Sequence, residues 1–142
     1  MNMQSPIAAL STLSLALALA ACASNAPRPA SLAEAQGTWQ LDAATPAGGR
    51  IPTMTLGKDG SLHGNGGVNQ YSASFDAAAL PQGKWRMSPA RSTRMAGPQE
   101  AMALEQSMLD AMQQADGAQI EGERLCLLRG SVVLVRFVRP RL

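Results

Sequence analysis

Between Gly64 and Glu100 the chain carries two clusters that dictate where its backbone can go, Gly64-Asn-Gly-Gly-Val-Asn-Gln-Tyr-Ser and Ser92-Thr-Arg-Met-Ala-Gly-Pro-Gln-Glu. The glycines of the first admit backbone angles closed to other residues, so the chain bends there. Pro98, directly after Gly97, suits the start of a helix, where its missing N–H costs nothing. A bend and a helix start therefore bracket a pair of strands. Val68, Gln70, Ser72 and Ser74 alternate with Asn69, Tyr71, Ala73 and Phe75, the period of a half-buried strand, and Gly66-Gly67 predicts a bulge at its beginning. Lys84-Trp-Arg-Met-Ser then places Trp85 and Met87 on one face, and both strands feed the corner from Ser92 to Gly97.

From about Pro98 to Gln114, Ala101, Leu104, Met108, Ala111 and Met112 recur at spacings of three and four, one apolar stripe of a helix. Glu100 in the first turn suits the positive end of the helix dipole, and Gly117 offers the stop. Upstream, Leu32 to Gln36 reads as a short helical turn, and Trp39 and Leu41 alternate with Thr38 and Gln40. Met54 and Leu56 alternate with threonines before an Asp59-Gly60 hairpin signal. Downstream, Gln119 to Glu121, Leu125 to Leu128 and Val132 to Val138 read as strands, with a turn at Arg129-Gly130. The expected fold is α+β: one small domain, a twisted antiparallel sheet or partial barrel of about seven to eight strands packed with one main α-helix.

A chain of 142 residues holds one domain. From Ile7 through Ala21 it carries no charge, too short a run to span a bilayer but matched to the apolar region of a secretory signal. Leu19-Ala20-Ala21-Cys22 resembles the bacterial lipobox, whose cysteine becomes the lipidated first residue of the mature protein. The expected organisation is a signal peptide over 1–21, lipidated Cys22 with a flexible tether to 36, and a folded domain over 37–139. Ala23 after the cysteine favours outer-membrane sorting, facing the periplasm. With Cys22 lipidated, Cys126 has no internal disulfide partner, and its place between Leu125 and Leu127 suits a small core side chain.

The formal charge of +2 is too small to imply a nucleic-acid partner. Arg124, Arg129, Arg136, Arg139 and Arg141 follow the last acid, Glu123, and read as a charged, solvated strand edge or a surface for anionic headgroups. His63 is the one histidine and Cys126 the one cysteine of the folded part, so neither a zinc cluster nor a Cys-His pair can be assembled, and Gly-x-Ser-x-Gly is absent. Asp42, Asp59, Asp76, Asp116, Glu121 and Glu123 fall at turns or strand ends, which does not suit paired-carboxylate chemistry. Gly64-Asn-Gly-Gly lacks the Gly-Lys-Ser/Thr ending of a phosphate loop and leads into a strand. No cofactor and no metal site are expected. Arg91, Ser92, Thr93 and Arg94 precede the helix and suit an anion or, more simply, a corner in which Ser92 or Thr93 ties the chain down and Arg94 meets a carbonyl or an acid.

Gly37-Thr-Trp, the Asp59-Gly60 hairpin, Gly64-Asn-Gly-Gly-Val-Asn-Gln-Tyr, Ser92-Thr-Arg-Met-Ala-Gly-Pro with Met102 to Leu109, and the closing Val135-Arg-Phe together resemble the META domain, the family of HslJ-type, heat-shock-associated bacterial lipoproteins. Many members have cysteines at the positions of Val68 and Gly97, a pairing this chain cannot make. The resemblance implies a lipid-anchored envelope protein linked to stress or antibiotic tolerance, with no established reaction. Asn69, Tyr71 and Arg94 are the motif's polar side chains and carry over as structural or contact positions. The reading is therefore a non-enzyme acting through an interaction surface on an unknown envelope partner. The alternative is a small-molecule or lipid binder with a pocket between the sheet and Met108, Met112 and Trp85.

Overall fold

The computed structural model describes residues 25–141; the expected signal peptide and Cys22 lie outside them. Nine strands form one antiparallel sheet in the order β1-β7-β8-β9-β2-β3-β4-β5-β6. They are β1 (Arg28–Pro29), β2 (Gly37–Leu41), β3 (Thr53–Leu56), β4 (Ser61–Asn65), β5 (Gln70–Ser74), β6 (Arg91–Ser92), β7 (Gly117–Glu121), β8 (Arg124–Arg129) and β9 (Val132–Val138). Helix α1 covers Leu32–Ala35 and α2 covers Gln99–Gln114, while Ala77–Gln82 makes a 3-10 turn. Seven strands of four residues or more match the expected α+β sheet, and the other two are two-residue strands at its ends.

The sheet curls toward closure through the segment after the 3-10 turn. Phe75 bridges Met87, Lys84 bridges Gly117, and the Trp85 N–H donates to the Asp116 carbonyl at 2.9 Å. The run 84–87 thus joins the end of β5 to the start of β7, on the side where β1 pairs further along, giving a partial barrel. Helix α2 packs along β8 and β9 and turns Ala101, Met108, Leu109 and Met112 into the interior. There Met108, Leu109 and Met112 join Trp39, Met54, Leu56, Leu62, Leu125 and Phe137 in one core. Both tryptophans satisfy their indole N–H groups, Trp39 on the Ala35 carbonyl and Trp85 on that of Met112, so their burial leaves no orphan donor.

Several expectations are corrected. Residues 28–36, expected as tether, belong to the domain: β1 pairs with β7, Ala30 and Ala35 are fully buried, and Ser31 caps α1 in a reciprocal box with Glu34. The pairing of β4 with β5 keeps one register from Ser61 to Asn65, so Gly66-Gly67 forms part of a hairpin loop and not a bulge. The loop is closed by the Gly66 N–H on the Asn69 carbonyl. Helix α2 ends at Gln114, capped by Ala115 and short of Gly117, because the Asp116 N–H is taken by the Leu128 carbonyl and the chain enters the ladder at once. The arginine-rich end is no sheet edge, since β9 lies between β8 and β2. Arg124 pairs with Asp42, and Arg139 stacks 3.8 Å over Trp39 while donating to the carbonyls of Glu34, Gln36 and Thr38.

Candidate functional site

The two clusters that bend the chain meet on the flank of α2, and a buried carboxylate joins them. Glu105, 6% exposed, sits on the inward stripe of α2 four residues after Ala101 and three before Met108. One of its oxygens accepts the backbone N–H groups of Val68 (3.1 Å) and Asn69 (2.7 Å), and the other accepts the Asn69 side-chain amide at 2.7 Å. Gly66 makes room: a Cβ there would stand 2.5 Å from the Glu105 Cγ.

Asn69, 3% exposed, passes the connection on. Its amide oxygen accepts the Met95 N–H at 2.6 Å and the Thr93 hydroxyl at 2.9 Å, and its amide nitrogen reaches the Met95 carbonyl at 3.4 Å. Thr93 in turn accepts the Gln70 N–H and donates its own N–H to the Gln70 carbonyl. Every donor and acceptor of this buried pair is occupied, as such a network requires. The segment it holds is different in kind, because all ten residues from Arg91 to Glu100 are exposed. Met95 is 57% exposed and Met102 of α2 36%. Between segment and helix runs a groove of about 570 Å³, with Leu109 and the Asn69–Glu105 pair among its lining and Arg94 beside them.

Of the residues singled out in the sequence, Asn69 is the organiser of this site. Tyr71 belongs to the core: it is buried, its hydroxyl donates to the Thr53 carbonyl at 2.7 Å, and desolvation raises its pKa well above the usual phenol range. Arg94 is on the surface and, contrary to expectation, meets neither a carbonyl nor an acid among the described residues. The corner is tied down by Thr93. Glu105 was missed, although a carboxylate in phase with Ala101, Met108 and Met112 is itself a signal that something polar must meet it inside.

The expected methionine pocket is filled by its own side chains, although Met108 also borders an open groove of about 360 Å³ with Leu104, Ala111 and Leu134. Met108, Met112 and Trp85 are each 2% exposed or less, and Trp85 stacks on Phe75 at 5.8 Å between ring centres. His63 is exposed on β4, with Thr55 and Ser72 as cross-strand neighbours and no acid among them. No group of three or more metal-ligating side chains occurs among the described residues. Val68 and Gly97 are neighbours: a Cβ on Gly97 would stand 3.3 Å from that of Val68.

The META domain family model matches residues 30–141. The chain belongs to the META domain family. The match begins within the segment that the β1–β7 pairing and α1 add to the domain, and it spans both clusters of the site. No curated protein and no solved structure is similar enough to match.

Proposed function

We propose that this META protein is a lipid-anchored, non-enzymatic component of the bacterial envelope, attached through Cys22, that supports stress or antibiotic tolerance by contact through residues 91–98. The outer membrane, with the domain facing the periplasm, is the proposed location. The observation that carries the contact reading is the buried Glu105–Asn69 pair, whose hydrogen bonds fix a segment that is itself wholly exposed. Burying a carboxylate is unfavourable unless every partner is in place. A fold that does so to hold an exposed turn in one shape is suited to presenting that turn to another surface. Met95 and Met102 give it apolar contact area and Arg94 a free cation.

Two measurements test the parts separately. Globomycin should leave an unprocessed precursor; unchanged mobility refutes lipidation at Cys22. A photo-crosslinking residue at position 95 should give a discrete adduct in cells, and one at position 63, on the outer face of β4, should not. Equal patterns from both positions refute the contact surface. Native mass spectrometry of the protein isolated from cells should show the bare polypeptide mass, whereas a mass excess lost on denaturation would restore the small-ligand reading.

A further inference from the structure

The contact surface proposed above includes the open end of the sheet, and resting on that reading we infer that its partner is an acidic, extended segment of another protein that adds as a strand beside β6. β6 is the last strand of the sheet, with β5 on one side. The Thr93 N–H donates to the Gln70 carbonyl, so Thr93 faces β5. By the alternation of an antiparallel ladder, the N–H and C=O of Ser92 point the other way, to the open side. An unpaired edge of this kind is a template for a further strand.

Charge selects the occupant. Arg91 is opposite Ser72 on the outer face and Arg94 lines the groove on the inner one, so the edge has a cation on each side. Neither guanidinium makes an ion pair or hydrogen bond among the described residues, and the one carboxylate in the groove, Glu105, is occupied by Val68 and Asn69. A second copy of this chain pairing through the same edge would add its own Arg91 and Arg94 to an edge that already carries two cations, and like charges crowded together are unfavourable. A strand with acidic residues meets the reverse condition. Its apolar side chains enter the groove beside Met95, Met102 and Leu109 with one acid among them for Arg94, and the acids of its other face reach Arg91.

The test uses the full-length protein in neutral detergent and two fluorescein-labelled nine-residue peptides, Val-Glu-Val-Glu-Glu-Glu-Val-Glu-Val, whose central acid shares the apolar face, and the same sequence with Lys for every Glu, read by fluorescence polarisation. The acidic probe should bind about tenfold more tightly than the basic one, two exposed ion pairs amounting to about that factor. Arg91→Glu with Arg94→Glu should reverse the preference, and His63→Glu should leave it unchanged. Ser92→Pro removes an N–H that no ladder bond uses, so it should weaken the acidic probe about tenfold with an unchanged melting temperature. Equal affinity for both probes, or acidic-probe binding indifferent to Ser92→Pro, overturns the inference. Failure of the probes together with a crosslink from position 95 leaves the contact surface standing and removes the strand-adding partner; probe binding without that crosslink does the reverse.

Discussion

Glu105→Gln is the substitution that bears most directly on the site, because it keeps shape and removes one acceptor. The carboxylate oxygen that receives the Val68 and Asn69 N–H groups can be replaced by the glutamine carbonyl with both bonds intact. The other oxygen becomes an NH2 group 2.7 Å from the Asn69 amide nitrogen, donor against donor. Asn69 cannot relieve this by flipping, since its own oxygen is held by the Met95 N–H and the Thr93 hydroxyl. One hydrogen bond to a charged group is lost and a buried donor is left unpaired, which costs about 2 kcal/mol. For a domain of this size that is a fall of about 8 °C in melting temperature. Glu105→Leu strips all three donors of their acceptor and should cost more, about 3–5 kcal/mol. Urea unfolding followed by tryptophan fluorescence reads both, and amide shifts of Thr93 to Met95 report the local effect. A glutamine variant within about 0.5 kcal/mol of the parent, with those shifts unmoved, would falsify the claim that this pair holds the segment.

Three further outcomes follow from the geometry. Val68→Cys with Gly97→Cys should form a disulfide on air oxidation, because the two Cβ positions are 3.3 Å apart and need move only a few tenths of an ångström, and closing a loop of about 30 residues should stabilise the oxidised form by about 3.5 kcal/mol; a double variant that stays reduced by thiol assay refutes the proximity. The Arg28 guanidinium and the Ser31 groups hold Glu34 at about 2, below its ordinary value of 4.5, so its contribution is complete above about pH 4.5 and disappears as the pH falls toward 2; amide shifts of Ser31 and Glu34 should titrate across that window before β8 changes, and a single titration with global unfolding refutes the local role. Burial raises the Cys126 thiol and removes it from solvent, so a soluble thiol reagent should label it only in denaturant, and rapid labelling of the native protein would contradict its placement.

What the sequence disclosed and what it hid divide along physical lines. Period-two runs such as Thr38 to Leu41, the Asp59-Gly60 turn and the three- and four-residue spacing of α2 are local signals, and they placed the main elements within a residue or two. Asn69 was legible as a motif residue, but its partner was not, because Glu105 lies 36 positions away and a charged residue in a helix is ordinarily assigned to the solvent face. The helical turn expected at Leu32 to Gln36 is present as α1, whereas Arg28 to Ala30 looked like linker, lying in a run whose Pro27 and Pro29 suggest extended chain. Extended chain is also what a two-residue edge strand needs, and only the pairing with β7 tells the two apart. Tyr71 had the right period for the core and a hydroxyl that suggested otherwise; the Thr53 carbonyl resolves the conflict.

The grip of Arg139 on the opposite end of the domain has a mechanical consequence. A pull on the chain at Asn25 first peels β1 from β7, a two-residue pairing that opens one rung at a time, and then strains the Arg28–Glu34 pair. The load next meets Arg139, whose guanidinium ties the carbonyls of Glu34, Gln36 and Thr38 to the last turn of chain after β9. From there the force reaches β2, which is held on both sides, by β3 over four rungs and by β9. Residues 25–36 therefore act as a yielding leader in front of a stiff body, able to lengthen under tension while the segment from Arg91 to Pro98 keeps its shape.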